Sequence, residues 1–266
     1  MKHDQLINKK FHILQRNKIL KDSDKFIYSE IADRLTNSLE GINLKLESCL
    51  EIGFTSNNIH KYIKNRFNNI HYLAGDISKL ILDKLCSSKD KICFDHDHWH
   101  EDLGKYDIII SNLYLYLTND LELLIKNIYN SLNNNGFFVA SLPSVNCFYE
   151  LKKCMIEADL DIYNGAYKRF IDVFSIDTIS KYLKVNNFKM PVLEIETIQL
   201  KYKNFNNLLN DIRYLGGSNL NIDRKQIFEN KNYFKKVEQI YWKNYSNGDE
   251  IILQLEIIFL SSWKQI

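Results

Sequence analysis

At 266 residues the chain is long enough to bury one large core, with or without an inserted lid, and does not require two separate domains. Its 45% hydrophobic and 26% charged residues lie in the globular range, which excludes wholesale disorder and fibrous folds. Lys and Arg number 35 against 33 Asp and Glu, so the net charge of +2 gives too weak a field to recruit nucleic acid or an anionic membrane by charge alone.

Residues 1–45 read as an N-terminal helical segment, in which Ile27, Ile31, Leu35 and Leu39 recur at helical spacing as a packing face. The start, Met1-Lys2-His3-Asp4-Gln5, has no apolar signal core, and no later run approaches the ~20 apolar residues of a membrane span. No integral membrane segment and a cytoplasmic location are therefore expected. From residue 46 to 266, short apolar runs alternate with helical patterns. Strands are expected at Ser48–Gly53, Ile70–Ala74, Ile92–Phe94, Tyr106–Asn112 and Phe137–Leu142, an alternation that specifies a parallel sheet with crossover helices.

Ligands of such sheets sit beyond the carboxyl ends of the strands, so the loop after the first strand, Glu51-Ile52-Gly53-Phe54-Thr55-Ser56-Asn57, is the first place to look for chemistry. Gly53 supplies the one residue there that turns sharply without a side chain. Asp76, closing the second strand, either accepts hydrogen bonds from a ribose or caps the following helix. Asp95 stands after the third strand, as an adenine acceptor or a plain loop acid. Within Asp95-His96-Asp97-His98-Trp99-His100 the alternating imidazoles suit zinc or iron, but no Cys or Glu cluster completes the set. Surface histidines and no metal site are the expected outcome. Ser111-Asn112-Leu113 ends the fourth strand and places Asn112 at the cleft rim.

A helix is expected after Thr118-Asn119-Asp120, with Asn119 as cap, Glu122 as early acid, and Leu121, Leu124, Ile125, Ile128 and Leu132 on one face. Asn133-Asn134-Asn135-Gly136 would then turn the chain into the fifth strand. The five cysteines are odd in number and lack C-x-x-C spacing, which predicts reduced thiols, with Cys147 and Cys154 packing on one helix face. Two longer strands, Val192–Tyr202 and Ile251–Trp263, are expected to pair antiparallel at the sheet edge. The helical stretch between them, about 204–248, is too long for a connection and reads as an insertion over the carboxyl ends of the strands.

The ordered set Leu50-Glu51-Ile52-Gly53, Asp76-Ile77, Asp95, Tyr106 through Leu113, Thr118-Asn119-Asp120-Leu121 and Gly136-Phe137-Phe138 resembles the class I S-adenosylmethionine-dependent methyltransferases. Phe148-Tyr149-Glu150-Leu151, Asp211 through Asn219, Arg224 and Trp263-Lys264 extend the resemblance. They point to the subgroup of biotin-pathway malonyl-carrier methyltransferases and of complex I assembly factors that act as arginine hydroxylases.

The resemblance implies an α/β fold, a Rossmann-like doubly wound seven-stranded sheet with N-terminal helices and a helical lid inserted before the last strand. It implies S-adenosylmethionine against Gly53, with its ribose at Asp76, its adenine near Asp95, its amino group near Glu51, and Asn112 at the rim. Tyr149, Arg213, Ser218 and Asn219 would form the substrate side, facing a small-molecule or protein acceptor; a respiratory complex I subunit is one such acceptor, and nucleic acid is not. Two features depart from the family: Thr55 and Asn57 stand where it repeats glycine, and Val173 stands where it has proline. Side chains at 55 and 57 would crowd the methionyl path, and a left-handed Thr55 would cost about 1–3 kcal/mol. Three functions are thus in view: methyl transfer driven by proximity and orientation, arginine hydroxylation with His96, His98 and His100 as the candidate metal ligands, and a non-catalytic assembly or docking role.

Overall fold

The computed structural model describes residues 6–18, 26–42, 45–100, 103–215, 219–224, 229 and 231–265. Two helices, α1 (Lys9–Lys18) and α2 (Phe26–Asn37), precede the sheet. Strands β1 (Ser48–Ile52), β2 (His71–Asp76), β3 (Asp90–Cys93), β4 (Tyr106–Asn112) and β5 (Leu132–Pro143) then alternate with α3 (Asn57–Arg66), α4 (Lys79–Leu85) and α5 (Leu121–Asn130). Next come α6 (Tyr149–Tyr163), α7 (Ile176–Val185), β6 (Lys189–Tyr202), α8 (Phe205–Tyr214), α9 (Lys231–Tyr245), the short β7 (Ser246–Asn247) and β8 (Glu250–Lys264).

The sheet runs β3-β2-β1-β4-β5-β8-β6, with β7 pairing β8, so among the described residues it has eight strands where the resemblance implied seven. Pairing is parallel from β3 through β5 and antiparallel where β8 inserts between β5 and β6. The Ile108-Ile109-Ile110 run of β4 explains why helices lie on both faces. Successive side chains of a strand point to opposite sides. Ile109 joins the core made with Leu121, Leu124, Ile125 and Ile128 of α5, while Ile108 and Ile110 join Leu35, Ile59 and Ile63 from α2 and α3. The Ile27, Ile31, Leu35, Leu39 stripe is buried along its whole length.

Local chemistry corrects two expected boundaries. The cap of α5 is Asp120, whose carboxylate accepts from Leu123 N at 2.9 Å, and not Asn119. Asn119 instead accepts the N–H groups of Leu6 and Ile7 at 2.9 Å, tying down the approach to α1. Strand β5 begins at Leu132, so Asn133–Gly136 is an irregularity inside the strand, with Asn135 at φ +59°, and not a separate turn.

Between β6 and β8, α8 and α9 bed Leu208, Ile212, Val237 and Tyr241 onto Ile251, Leu253 and Leu255 of β8 and Leu151 of α6. Leu113, just past β4, belongs to the same apolar cluster. The α8–α9 segment therefore packs against the chain as it leaves the carboxyl end of the central strand. All five cysteines are free thiols.

Candidate cofactor and active site

Strands β1, β2 and β4 are neighbours, and their carboxyl ends carry Gly53, Asp76 and Asn112 to one cleft. Gly53 adopts φ +79°, a left-handed geometry that suits glycine alone at little cost. The loop accommodates the Thr55 and Asn57 side chains through hydrogen bonds to its surroundings. Thr55 is not among the residues of positive φ, so the anticipated strain does not arise, and its hydroxyl lies 3.4 Å from Asn112 Nδ2. Asn57 opens α3 and turns away, donating to Leu85 O at 2.8 Å and accepting from Ser87 N at 2.9 Å. It staples α3 to the end of α4.

Asp76 is fully buried, and both of its oxygens are engaged. Oδ1 accepts from Ser78 N at 2.7 Å, but the cap of α4 is Ser78, whose hydroxyl accepts from Ile81 N at 3.1 Å, so Asp76 braces the cap residue and does not cap the helix itself. Oδ2 accepts from Arg16 Nη2, and the same guanidinium nitrogen donates to Phe54 O at 2.6 Å. Burial works against charge on Arg16, but Asp76, with smaller contributions from Tyr28 and Tyr114, outweighs it and keeps the guanidinium protonated.

Above Gly53 lies Tyr114. A Cβ built on Gly53 would fall 1.9 Å from Tyr114 Cγ. The ring is brought there by Leu113, which holds φ +50° and joins Ser141 by backbone and side-chain hydrogen bonds of 3.0 Å. A left-handed leucine stores about 1–2 kcal/mol of strain. Gly53→Ala is accordingly expected to cost roughly 2–4 kcal/mol, through backbone strain and overpacking against Tyr114. Urea denaturation would measure it; a loss below about 0.5 kcal/mol would mean that the tyrosine moves aside without resistance.

Glu51 is buried under the same loop and accepts from the Tyr72 hydroxyl. Burial is the main cause that pushes its carboxyl up to about 8; the Tyr72 hydrogen bond opposes this and the nearby Asp76 charge adds to it. Two histidines flank Tyr114: His12 at 5.7 Å and His96 at 4.9 Å between ring centroids. His96 Nε2 donates to Leu117 O at 2.8 Å, which leaves Nδ1 as an acceptor. That atom and both ring nitrogens of His12 are buried without a hydrogen-bond partner among the described residues. Burial lowers both imidazoles below their usual range, His96 to about 4, so both are neutral.

The remaining candidates separate. Asp95 lies at the cleft edge, where Lys9 Nζ is 3.0 Å from its Oδ1 and 2.7 Å from Asp97 Oδ2. His98 is exposed and bonds Asp95 Oδ2 at 3.0 Å, and His100 is exposed elsewhere, so the three histidines share no focus. Ligand atoms of Asp95, His96 and Asp97 do fall within 4.8 Å of one another, but the Lys9 ammonium already bridges the two carboxylates. Of the residues assigned to the substrate side, Tyr149 is 46% exposed beneath Lys153, and Arg213 faces solvent and bonds Asn210 Oδ1 at 3.0 Å. Asn219 binds Lys168 O and Asn221 N, and Ser218 lies outside the described residues.

Sequence reasoning missed Arg16, His12, Lys9 and Tyr114. The spacing 9, 12, 16 places Lys, His and Arg on one face of α1 but does not say that the face turns inward, and Tyr114 carries no comparable signal.

A parallel sheet ordered 3-2-1-4-5, followed by an antiparallel strand inserted before the edge and a glycine turn and an acid on its first two strands, is the class I S-adenosylmethionine-dependent methyltransferase fold. Residues 24–192 match the methyltransferase-domain family, and the chain belongs to it. It is similar to the arginine-hydroxylase NDUFAF5, mitochondrial, of Dictyostelium discoideum, with 26% identity over 90% of this chain and 59% of that protein. It is also similar to the malonyl-[acyl-carrier protein] O-methyltransferase of a Methylovorus strain, with 19% identity over 91% of this chain and 84% of that protein. Among solved structures, phosphoethanolamine N-methyltransferase 2 of Haemonchus contortus superposes with a TM-score of 0.52 at 14% identity, over 96% of this chain and 57% of that one.

Proposed function

We propose that the protein is an S-adenosylmethionine-dependent methyltransferase. The observation that carries this reading is the convergence of Gly53, Asp76 and Asn112 at the carboxyl ends of three adjacent strands, with Asp76 fully buried. In donor type this set suits the cofactor: a carboxylate for ribose hydroxyls, a side-chain-free turn for close backbone approach, and Glu51 near the amino end. In space, the present arrangement does not admit it. Arg16 takes the Asp76 carboxylate, Tyr114 covers Gly53, and this closed form is not competent for transfer.

Bound cofactor would supply an electrophilic sulfonium methyl. The chain's part would be to orient an acceptor and exclude water, a task in which proximity does most of the work. We read residues 46–266 as one domain and the α8–α9 segment as its lid. An apolar cavity of about 40 Å³ between Leu113, Pro143, Cys147 and Phe170 lies on the lid side, with Lys152 as the cation in its lining. The acceptor's apolar part would enter there. Burial pushes the Cys147 thiol up to about 12, so it is not a nucleophile in this wall.

Calorimetric titration with S-adenosylhomocysteine tests the reading. Binding is expected, with Asp76→Asn weakening it at least tenfold. Absence of heat at millimolar ligand, in the natural chain and in variants that unpair Arg16, would overturn it.

Likeness to the Dictyostelium protein favours a second reading, modification of an arginine on a partner, with a respiratory complex I subunit as the acceptor to test. Hydroxylation needs a redox metal or cofactor, and the Lys9 bridge across Asp95 and Asp97 speaks against a metal at the histidine cluster. Iron uptake by the purified protein, lost in a His96, His98, His100 triple alanine variant, would restore this reading. Among the described residues no helix is long and apolar enough to cross a membrane.

A further inference from the structure

Helix α1 buries no large apolar side chain. Its two buried residues are His12 and Arg16, while Leu14 is 57% exposed and Phe11 and Ile13 are only partly covered. A helix that turns a polar face inward is held by specific partners more than by the non-directional hydrophobic effect. Those partners are the positions a nucleoside would take. Lys9 meets Asp95 and Asp97 at the third strand, His12 lies against Tyr114 over Gly53, and Arg16 bridges Asp76 and Phe54 O at the second and first. Residues 9, 12 and 16 form one face, so a single rigid element covers the adenine-side acid, the glycine turn and the ribose acid together.

The guanidinium also stacks 5.2 Å above the Tyr114 ring, and Asn17 Oδ1 accepts from the Ser78 hydroxyl at 2.5 Å, which closes the far end of the contact. The helix lies outside residues 24–192, the part that matches the methyltransferase domain.

We propose that α1 is an intramolecular occupant of the cofactor cleft, with Lys9, His12 and Arg16 standing in for the nucleoside, and that cofactor binds only as α1 withdraws. This rests on the methyltransferase reading above. Two observations mark the contact as exchangeable. Among the described residues both His12 nitrogens are buried without a hydrogen-bond partner, so docking leaves part of the polar face unsatisfied. The Arg16–Asp76 pair is a desolvated ion pair, whose attraction is largely offset by the cost of burial. A ligand bearing hydroxyls for Asp76 competes against a modest net interaction.

The test uses the full chain with Arg16→Gln and, in case that variant strands Asp76 and fails to fold, Lys9→Gln, whose acids keep access to water. S-adenosylhomocysteine binding is measured by calorimetry, and amide exchange of residues 9–18 is followed with and without the ligand. The expected result is at least tenfold tighter binding by either variant, with ligand speeding exchange across α1 in the natural chain while residues 48–55 and 71–78 gain protection. Weaker binding by both variants, or slower exchange of α1 on binding, would make α1 a wall of the cofactor site and overturn the proposal while leaving the methyltransferase reading intact. No binding by any of the three proteins would overturn both.

Discussion

Replacing Arg169 with alanine is expected to remove about 3–5 kcal/mol of folding stability, because it strands a buried carboxylate. Arg169, only 12% exposed at its side chain, donates from Nε to Asp159 Oδ2 at 2.9 Å, from Nη2 to Oδ1, and from Nη1 to Glu229 Oε1 at 2.7 Å. Its guanidinium also lies 4.3 Å over the Tyr233 ring. Asp159 is wholly buried on α6, Tyr233 is on α9, and Arg169 is on the loop between α6 and α7. One side chain therefore ties three segments around the lid side of the molecule. The pair's own attraction is not the source of the loss, since a buried ion pair gains little over a well-packed neutral pair; the loss comes from a charge left without its counterion. An Asp159→Asn, Arg169→Gln double variant is thus expected to recover the part of the loss owed to Asp159, while Glu229, 9% exposed at its side chain, still lacks its guanidinium partner. Urea denaturation of the single and double variants decides the matter. A double variant as unstable as the single one would place the loss at Glu229 or in packing against Tyr233 instead.

Much of the fold was legible in the sequence because its signals are local and redundant. Strand β4 was placed to the residue from Tyr106–Asn112, where three consecutive isoleucines demand burial on both faces. The antiparallel pairing of the last long strands and the α2 stripe followed equally from apolar patterning. The α5 boundary was off by one because Asn119 and Asp120 are both good caps. Only the long-range demand of Leu6 and Ile7 for an acceptor, more than a hundred residues away in sequence, assigns Asn119 elsewhere.

At the site, Gly53 and Asp76 could be picked out because each performs a backbone or charge role tied to the end of a strand. Arg16 could not, since its partner Asp76 is distant in sequence and a basic residue on a polar helix normally faces water. Tyr114 was hidden for a related reason: its placement depends on the left-handed Leu113, and nothing in a leucine codon announces positive φ. The backbone strain weighed for a left-handed Thr55 does not arise. The sharp backbone turn is made at Gly53 alone, and the two side chains are absorbed by Asn112, Leu85 and Ser87.

Glu51 governs the second large effect, a dependence of stability on pH that Glu51→Gln should abolish. Burial, opposed in part by the Tyr72 hydroxyl, raises this carboxyl from an ordinary 4.5 to about 8 in the folded protein. Between those values the folded state holds a proton that the unfolded chain has already released. Stability from this group is therefore fully present below about 4.5 and falls as pH rises through about 8, by an amount on the order of 4 kcal/mol. His96 acts in the opposite sense. Its imidazole is lowered from 6.5 to about 4, so its contribution is present above 6.5 and is lost as pH falls through about 4. The total profile mixes the two, and the difference between the natural chain and Glu51→Gln isolates the carboxyl, because glutamine mimics the protonated acid at every pH. The variant is expected to match the natural chain near pH 5 and to exceed it increasingly toward pH 8 in urea denaturation. Parallel profiles for the two proteins would show that Glu51 is ionised when folded. The buried charge would then need Arg16 or another cation closer than Asp76 allows, and the closed cleft would owe its stability to a carboxylate network and not to a neutral acid.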